Sequence, residues 1–389
     1  MKIKVGVFFG GRSVEHEVSI ISALQTINAI DKAKYDTIPI YITKQGTWYS
    51  GEALLKIENY QNIDQLLSQC QNIQLAVTAK DNLLLKYPAK LFQKQVFNTL
   101  DVAFPVFHGT YGEDGAFQGL FEINNLPYVG CDVLSSAVGI NKIAMKLMLK
   151  AADLPIVNYL GLYGKEWLKN KDSVIENVEK NLSYPLIVKP ATLGSSIGIT
   201  KVNNRKELEA GVEIAKSFSP QLLLEEIVPN LKEINSAVLG DYEKTEVSVC
   251  EEPLGNEEVL SFQDKYTNSG SSKGMSGAKR KLPADIPTEM AKTIQDLARQ
   301  TFLLLNCSGV ARIDFLVNTE SNQIYVNEIN TIPGSLAFYL WKASGKSFTD
   351  LTSELIQLAL KRQREKNNLV FTYDSNILTG FQGSKAAKF

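Results

Sequence analysis

The chain has 389 residues, 44% of them hydrophobic and 21% charged, with a formal net charge of −1. That length supports two or three globular domains, and the near-neutral balance offers no basic field for nucleic acid. Only two His occur, His16 and His108, which argues against zinc, and the four Cys are far apart with no CxxC pair, as expected of reduced core thiols. The apolar run at the N-terminus is too short to cross a bilayer and no secretion signal is read, so the expected compartment is the cytosol, with no membrane partner.

Residues 3–9 predict a buried strand, Gly10-Gly11-Arg12-Ser13 a turn, and Val18, Ile20, Ile21, Leu24 and Ile27 a helix by their spacing. Strand, glycine turn, helix is the opening of a doubly wound α/β unit. The G-x-G-x-x-G fingerprint is absent, which removes the main support for a nicotinamide dinucleotide. Glu15 at the helix start has two readings: a complement to the helix dipole, or a carboxylate that holds a substrate ammonium. Residues 37–42 predict a second strand, and 51–100 carry no clear pattern. Residues 101–107 predict a strand that runs into His108-Gly-Thr-Tyr-Gly-Glu-Asp-Gly115, a glycine-rich polar loop of the kind that carries function. Phe117, Leu120 and Phe121 then mark a helix face, and 126–130 closes a first domain.

Residues 141–154 predict a helix with Lys142, Lys146 and Lys150 along it, a row that reads as a solvated face. A strand over 184–189 ends at Lys189. The following loop holds Gly194, Ser195, Ser196 and Gly198 and returns into a strand at 199–202. Its composition fits either a plain turn or a phosphate cradle between two strands, and no P-loop is present. An amphipathic helix is predicted over 205–216. The strand 221–227 ends in Glu225 and Glu226 and leads through Ile227, Val228 and Pro229 into a strand from Glu233, a joint of the kind that forms a cofactor crevice. Residues 245–250 extend the sheet. Residues 263–278 are rich in Gly, Ser, Lys and Asn, with Lys265 and Tyr266 near the start, and form either a surface loop or a lid. Helices are predicted over 287–306 and 348–362, with a tail from 366.

The stretch 309–336 organises the rest. Two runs rich in Val, Ile and Phe flank the polar turn 318–322, a β-hairpin signal. Period-two alternation puts Arg312 and Asp314 on one face of the first strand, and Glu328 and Asn330 on one face of the second. Such a face is either an ordinary ion-paired surface or a site for something charged. Its carboxylate and amide oxygens suit Mg²⁺ or Mn²⁺, which in turn hold phosphates.

Five stretches in register resemble the D-alanine–D-alanine ligases of the ATP-grasp family. They are Gly-Gly-Arg-Ser-Val-Glu-His-Glu-Val-Ser (10–19), His-Gly-Thr-Tyr-Gly-Glu-Asp-Gly (108–115), Val-Lys-Pro (188–190) with Gly-Ser-Ser-Ile-Gly (194–198), Ala-Arg-Ile-Asp-Phe (311–315), and Asn-Glu-Ile-Asn-Thr-Ile-Pro-Gly (327–334). The resemblance implies an α/β fold, α+β in parts, with a three-domain ATP-grasp architecture. The expected divisions are a doubly wound substrate-binding domain over 1–130, a central subdomain over 131–227, a catalytic domain over 228–366 with the 263–278 lid, and a tail over 367–389.

The activity so implied joins two D-alanines through an acyl phosphate, consuming ATP, for cell-wall precursor synthesis. Open alternatives are D-serine or D-lactate as acceptor, or a non-catalytic nucleotide-binding homologue. Carried over by motif position, ATP falls to Lys142, Lys189, Ser195, Ser196, Glu225, Glu226 and Glu233, with the backbone at Ile227 and Val228 against the adenine. Two Mg²⁺ ions, for which Mn²⁺ can substitute, fall to Asp314, Glu328 and Asn330. Glu15 takes the first ammonium and is latched by Ser195 and Tyr266, Lys265 reaches the γ-phosphate, and Arg312 with the Gly334 N–H stabilises the oxyanion. His108, Ser335 and Leu336 complete the substrate contacts, although Ser335-Leu336 follows Gly334 with no intervening residues. A homodimer is also implied.

Overall fold

The computed structural model describes residues 2–78, 81–89, 92, 94–254 and 280–371. The lid with Lys265 and Tyr266, and most of the expected tail, lie outside these residues.

The first sheet contains β1 (Ile3–Gly10), β2 (Tyr35–Ile42), β3 (Trp48–Ser50), β4 (Gln71–Leu75), β5 (Leu83–Lys86), β6 (Val96–Thr99) and β7 (Val102–Pro105) in the order β6-β5-β4-β3-β2-β1-β7. β1 runs parallel to both β2 and β7, as the strand–turn–helix reading requires. The region 51–100, unreadable by pattern, adds short antiparallel strands that widen the sheet on the β2 side. Helix α1 (His16–Ala29) packs Ile20, Leu24 and Ile27 against Val5, Val7 and Phe9. Gly10, at φ +88, makes the turn before α1; a Cβ there would sit 2.3 Å from the Ile42 carbonyl oxygen, so only glycine fits. Ser19 Oγ accepts from the Gly10 N–H at 2.8 Å and donates to the Val106 oxygen at 2.6 Å, which ties α1 to the ends of β1 and β7.

Short helices α2 (Ile63–Ser68), α3 (Ala116–Ile123) and α4 (Val133–Ile140) precede α5 (Lys142–Ala151). Asn141 caps α5, its Oδ1 accepting from the N–H groups of Ile143 and Ala144, a preferred N-cap arrangement. The second sheet is antiparallel, in the order β10-β9-β11-β8, from β8 (Tyr159–Tyr163), β9 (Leu186–Pro190), β10 (Thr200–Val202) and β11 (Gln221–Glu226). Helices α6 (Gly164–Lys169), α7 (Lys171–Asn181) and α8 (Arg205–Ala215) cover it with Trp167, Ile175, Val178, Leu208 and Val212.

The third sheet is also antiparallel: β12 (Leu231–Gly240), β13 (Thr245–Val247), β16 (Gly309–Asn318) and β17 (Ile324–Asn330), ordered β13-β12-β16-β17. Two-residue strands β14 (Glu252–Pro253) and β15 (Arg280–Lys281) pair beside it. Helix α9 (Thr288–Leu304) buries Ile294, Ala298 and Phe302 on this sheet. After α10 (Phe338–Ala343), α11 (Phe348–Lys366) packs Leu351, Leu355 and Ile356 into the same core as β1.

The β16–β17 hairpin forms as its composition predicts, with Arg312 opposite Asn330 and Asp314 opposite Glu328. It carries one irregularity: the register shifts so that Phe315 faces Val326, leaving Asn327 as an extra residue, a β-bulge. Strict alternation would place Val326 and Glu328 on one face. The bulge instead sends both Val326 (0% exposed) and Ile329 (5%) into the core while Glu328 and Asn330 stay on the cleft side.

Candidate active site

A cleft opens where the three sheets meet. Its walls bring together Glu15, His108, Lys142, Ser195, Glu233, Arg312, Asp314, Glu328, Asn330 and Gly334 from the residues singled out in the sequence, and add Glu113, Asn235, Glu251 and Arg280.

Glu15 occupies the N-cap position of α1 but makes no side-chain capping bond. Its buried carboxylate instead accepts a hydrogen bond from Ser195 Oγ, 180 residues further on. Ser195 and Ser196 take left-handed backbone angles, φ +54 and +59, which bend the loop towards Glu15. Gly109 and Gly194 back the carboxylate closely: a Cβ would lie 2.8 Å from Glu15 Oε2 at Gly109 and 3.1 Å from it at Gly194.

Glu113, from the 108–115 loop, is buried beneath this point. It accepts from the Gly109 N–H at 2.6 Å and the Ile332 N–H at 3.3 Å. Burial, reinforced by the neighbouring Glu15 charge, pushes its carboxyl up to about 8. His108 is equally buried, which lowers its imidazole to about 4 and keeps it neutral; its Nε2 meets Ser22 Oγ at 2.9 Å.

On the opposite wall Arg312 grips Asp314 fork-on, Nε to Oδ1 and a terminal nitrogen to Oδ2, both at 2.6 Å. Burial opposes the Arg312 charge, but Asp314 outweighs it and holds the guanidinium firmly protonated. Asn330 Nδ2 donates to the same Asp314 at 3.1 Å. Lys142 crosses from α5, 3.4 Å from Glu328 and 2.8 Å from the Leu193 oxygen.

The lysine row on α5 is not a solvated face. Lys142 is 6% exposed and Lys146 0%; only Lys150 is turned outward. Lys146 Nζ lies 2.6 Å from Glu225, which also pairs with Lys189. Burial works against the Glu225 charge, but the two ammonium groups prevail and hold its carboxyl down to about 2. Burial lowers the Lys146 ammonium. Sequence reasoning missed Lys146; the signal was Met145 and Leu149, apolar neighbours that place the stripe against the core.

Among the described residues, the remaining expected ones fall outside the cleft walls. Glu226 accepts from Asn158 Nδ2 at 3.0 Å and from the Ser183 N–H at 3.1 Å. Val228 is buried and Ile227 half-buried at the β11–β12 joint. Ser335 and Leu336 are buried, and with Ala337 they form a left-handed turn at φ +51, +54 and +50. Their N–H groups donate to Ser22 Oγ at 3.0 Å and to the Pro333 oxygen at 2.7 Å.

A cleft with Lys142 on one wall and a carboxylate–guanidinium hairpin on the other defines a ligase of the ATP-grasp architecture, and solved ligases match it over nearly the whole chain. The D-alanine–D-alanine ligase from Coxiella burnetii superposes with a TM-score of 0.78 at 31% identity, over 94% of this chain and 96% of that one. The VanG D-Ala:D-Ser ligase from Enterococcus faecalis does so with a TM-score of 0.78 at 32% identity, over 92% and 100%. Residues 4–131 match the family described as D-ala D-ala ligase N-terminus, and 148–357 the D-ala D-ala ligase C-terminus. A D-alanine–D-alanine ligase of Thermosipho melanesiensis is 41% identical over 97% of this chain and 98% of its own. The chain belongs to the D-alanine–D-alanine ligase family, whose members are ATP-dependent ligases that use a divalent metal.

Proposed function

We propose that the chain joins two D-alanines, converting ATP to ADP and phosphate, for peptidoglycan precursor synthesis in the cytoplasm. The observation that carries this reading is the opposition, across one cleft, of the Glu15–Ser195 contact and the hairpin face of Arg312, Asp314, Glu328 and Asn330. Residues 1–130 then hold the first amino acid, and 131–227 and 228–366 close on the nucleotide.

The donor set fits Mg²⁺. Asp314, Glu328 and Asn330 offer two carboxylates and an amide, hard oxygen donors too few to fill an octahedral shell without phosphate oxygens. When bound, the metal neutralises charge on the phosphoryl oxygens.

Glu15 holds the ammonium of the first D-alanine. That substrate's carboxylate attacks the γ-phosphorus of ATP, the bond to ADP breaks, and an acyl phosphate forms. Lys142 and Lys189 face the phosphates, and Glu225, Glu226 and Glu233, with the Ile227–Val228 backbone, orient the rest of the nucleotide. The second D-alanine's neutral amine attacks the acyl carbon, phosphate leaves, and the amine loses a proton. Arg312, prearranged by Asp314, and the Gly334 N–H take the oxyanion, where losing one donor costs ~3 kcal/mol of barrier. Acyl phosphates hydrolyse, so the 263–278 segment with Lys265 and Tyr266 acts as the lid that excludes water. A homodimer is the proposed assembly, tested by sedimentation.

The likeness to the E. faecalis ligase keeps D-serine in view as acceptor. Phosphate release measured with D-alanine, D-serine and D-lactate, with mass analysis of products, decides between them. Release unaffected by D-alanine refutes the proposal.

A further inference from the structure

The mechanism above gives Lys146 no task, yet its side chain is fully buried. It stands one turn along α5 from Lys142, so the two share a helix face, but Lys142 lines the cleft and Lys146 does not. What Lys146 meets is one face of the second sheet. There Glu225 lies opposite Tyr159 of β8 and opposite Ile187 of β9, which makes Lys189 its diagonal neighbour on the same face. Lys146 Nζ is 2.6 Å from Glu225 Oε1 and 5.6 Å from the centre of the Tyr159 ring, and Lys189 takes Oε2. Two ammonium groups thus serve one carboxylate, and none of the three residues is more than 6% exposed. An excess positive charge so far from water is unfavourable unless an anion is to join it.

We infer that Lys146 is a positioning residue, a captive counter-ion that holds Glu225 in place when Lys189 turns from that carboxylate to the nucleotide phosphates. The assignment rests on the reading above in which Lys189 faces the phosphates. Of the two ammonium groups, Lys189 is the one free to leave. It stands next to the end of β9, where the chain enters the loop of Ser195 and Ser196. Lys146 sits over Tyr159, and its helix neighbours Met145 and Leu149 are part of the core. With Lys146 present, Glu225 keeps a partner whether or not Lys189 is bonded to it. Without Lys146, the departure of Lys189 would strand a buried carboxylate, a strongly unfavourable state. Lys189 would then stay where it is. Affinity for the phosphates therefore depends on a lysine that touches none of them.

The test uses the full chain, native and with Lys146→Met, and measures the Kd of ADP and of adenosine by competition calorimetry. Adenosine has no phosphate to draw Lys189 away, so only ADP should sense the missing counter-ion. Lys146→Met should raise the Kd of ADP roughly 10- to 100-fold and leave that of adenosine within about twofold. A crystal structure of the native chain with ADP should show Lys189 Nζ on a phosphate oxygen and Lys146 still on Glu225. An unchanged Kd for ADP in Lys146→Met overturns the assignment. So does an equal loss of ADP and adenosine, which would mean that Lys146 merely supports the sheet. Lys189 still bonded to Glu225 with ADP in place overturns it independently of any variant. A native chain that binds no ADP overturns the nucleotide reading and this assignment with it.

Discussion

Replacing Glu225 by Gln is expected to unfasten the second sheet. Glu225 is 4% exposed and faces two ammonium groups, Lys146 at 0% and Lys189 at 6%. Its carboxyl stands near 2 against an ordinary 4.5. At 1.36 kcal/mol per pKa unit that difference corresponds to about 3 kcal/mol at neutral pH, within the range for breaking a buried pair and leaving charge uncompensated. The sign follows from the lowered value: the contribution is complete above pH 4.5 and is lost as pH falls towards 2. Amide hydrogen exchange in β9 and β11, which carry Lys189 and Glu225, reads the local opening energy. Glu225→Gln should lower it by about 3 kcal/mol, and adding Lys146→Met should restore a large part, because one of the stranded cations goes with it. A loss below ~1 kcal/mol, the range of an exposed pair, or no recovery in the double variant, would refute the argument.

Three further outcomes are expected. Glu113 keeps its proton in the folded chain up to about pH 8, whereas the unfolded chain releases it near 4.5; stability therefore falls as pH rises through that window. Glu113→Gln should flatten this dependence, and melting curves for the two proteins that stay parallel from pH 5.5 to 9 would contradict it. Glu328→Gln should lower kcat roughly 100-fold and raise the Mg²⁺ concentration for half-maximal rate; full activity would show that the metal lies elsewhere. Gly109 sits at φ +74, and a Cβ there would lie 2.5 Å from Ser13 Oγ and 2.8 Å from Glu15 Oε2. Gly109→Ala should cost about 1–2 kcal/mol of backbone strain and raise the KM for the first D-alanine while that for ATP holds, as a two-substrate titration will show.

What could be read from the sequence was what repeats locally. The hairpin announced itself by composition and period, and Arg312, Asp314, Glu328 and Asn330 came out on one face because alternation is a property of the strand itself. The β1–α1–β2 unit was legible for the same reason. Lys146 was lost because spacing puts a lysine on a stripe without saying whether that stripe meets water or a carboxylate; Glu225, its partner, is 79 residues away. The cluster of Asn235, Glu251, Arg280 and Tyr339 left no local trace either, since it is assembled from four separate segments. Glu113 stood in a loop marked as functional, but its raised pKa depends on burial in the folded chain and on Glu15 beside it.

The single unpaired residue in β17 constrains how the hairpin can change length. Insertions or deletions at the 318–323 tip move nothing downstream, since both strands keep their phase. Removing Asn327 itself would leave Val326 next to Glu328, and plain alternation would then keep Val326 and Ile329 inside and Glu328 and Asn330 in the cleft. Length variation among workable versions of this chain should therefore collect at the tip and at Asn327, and spare Glu328, Ile329 and Asn330.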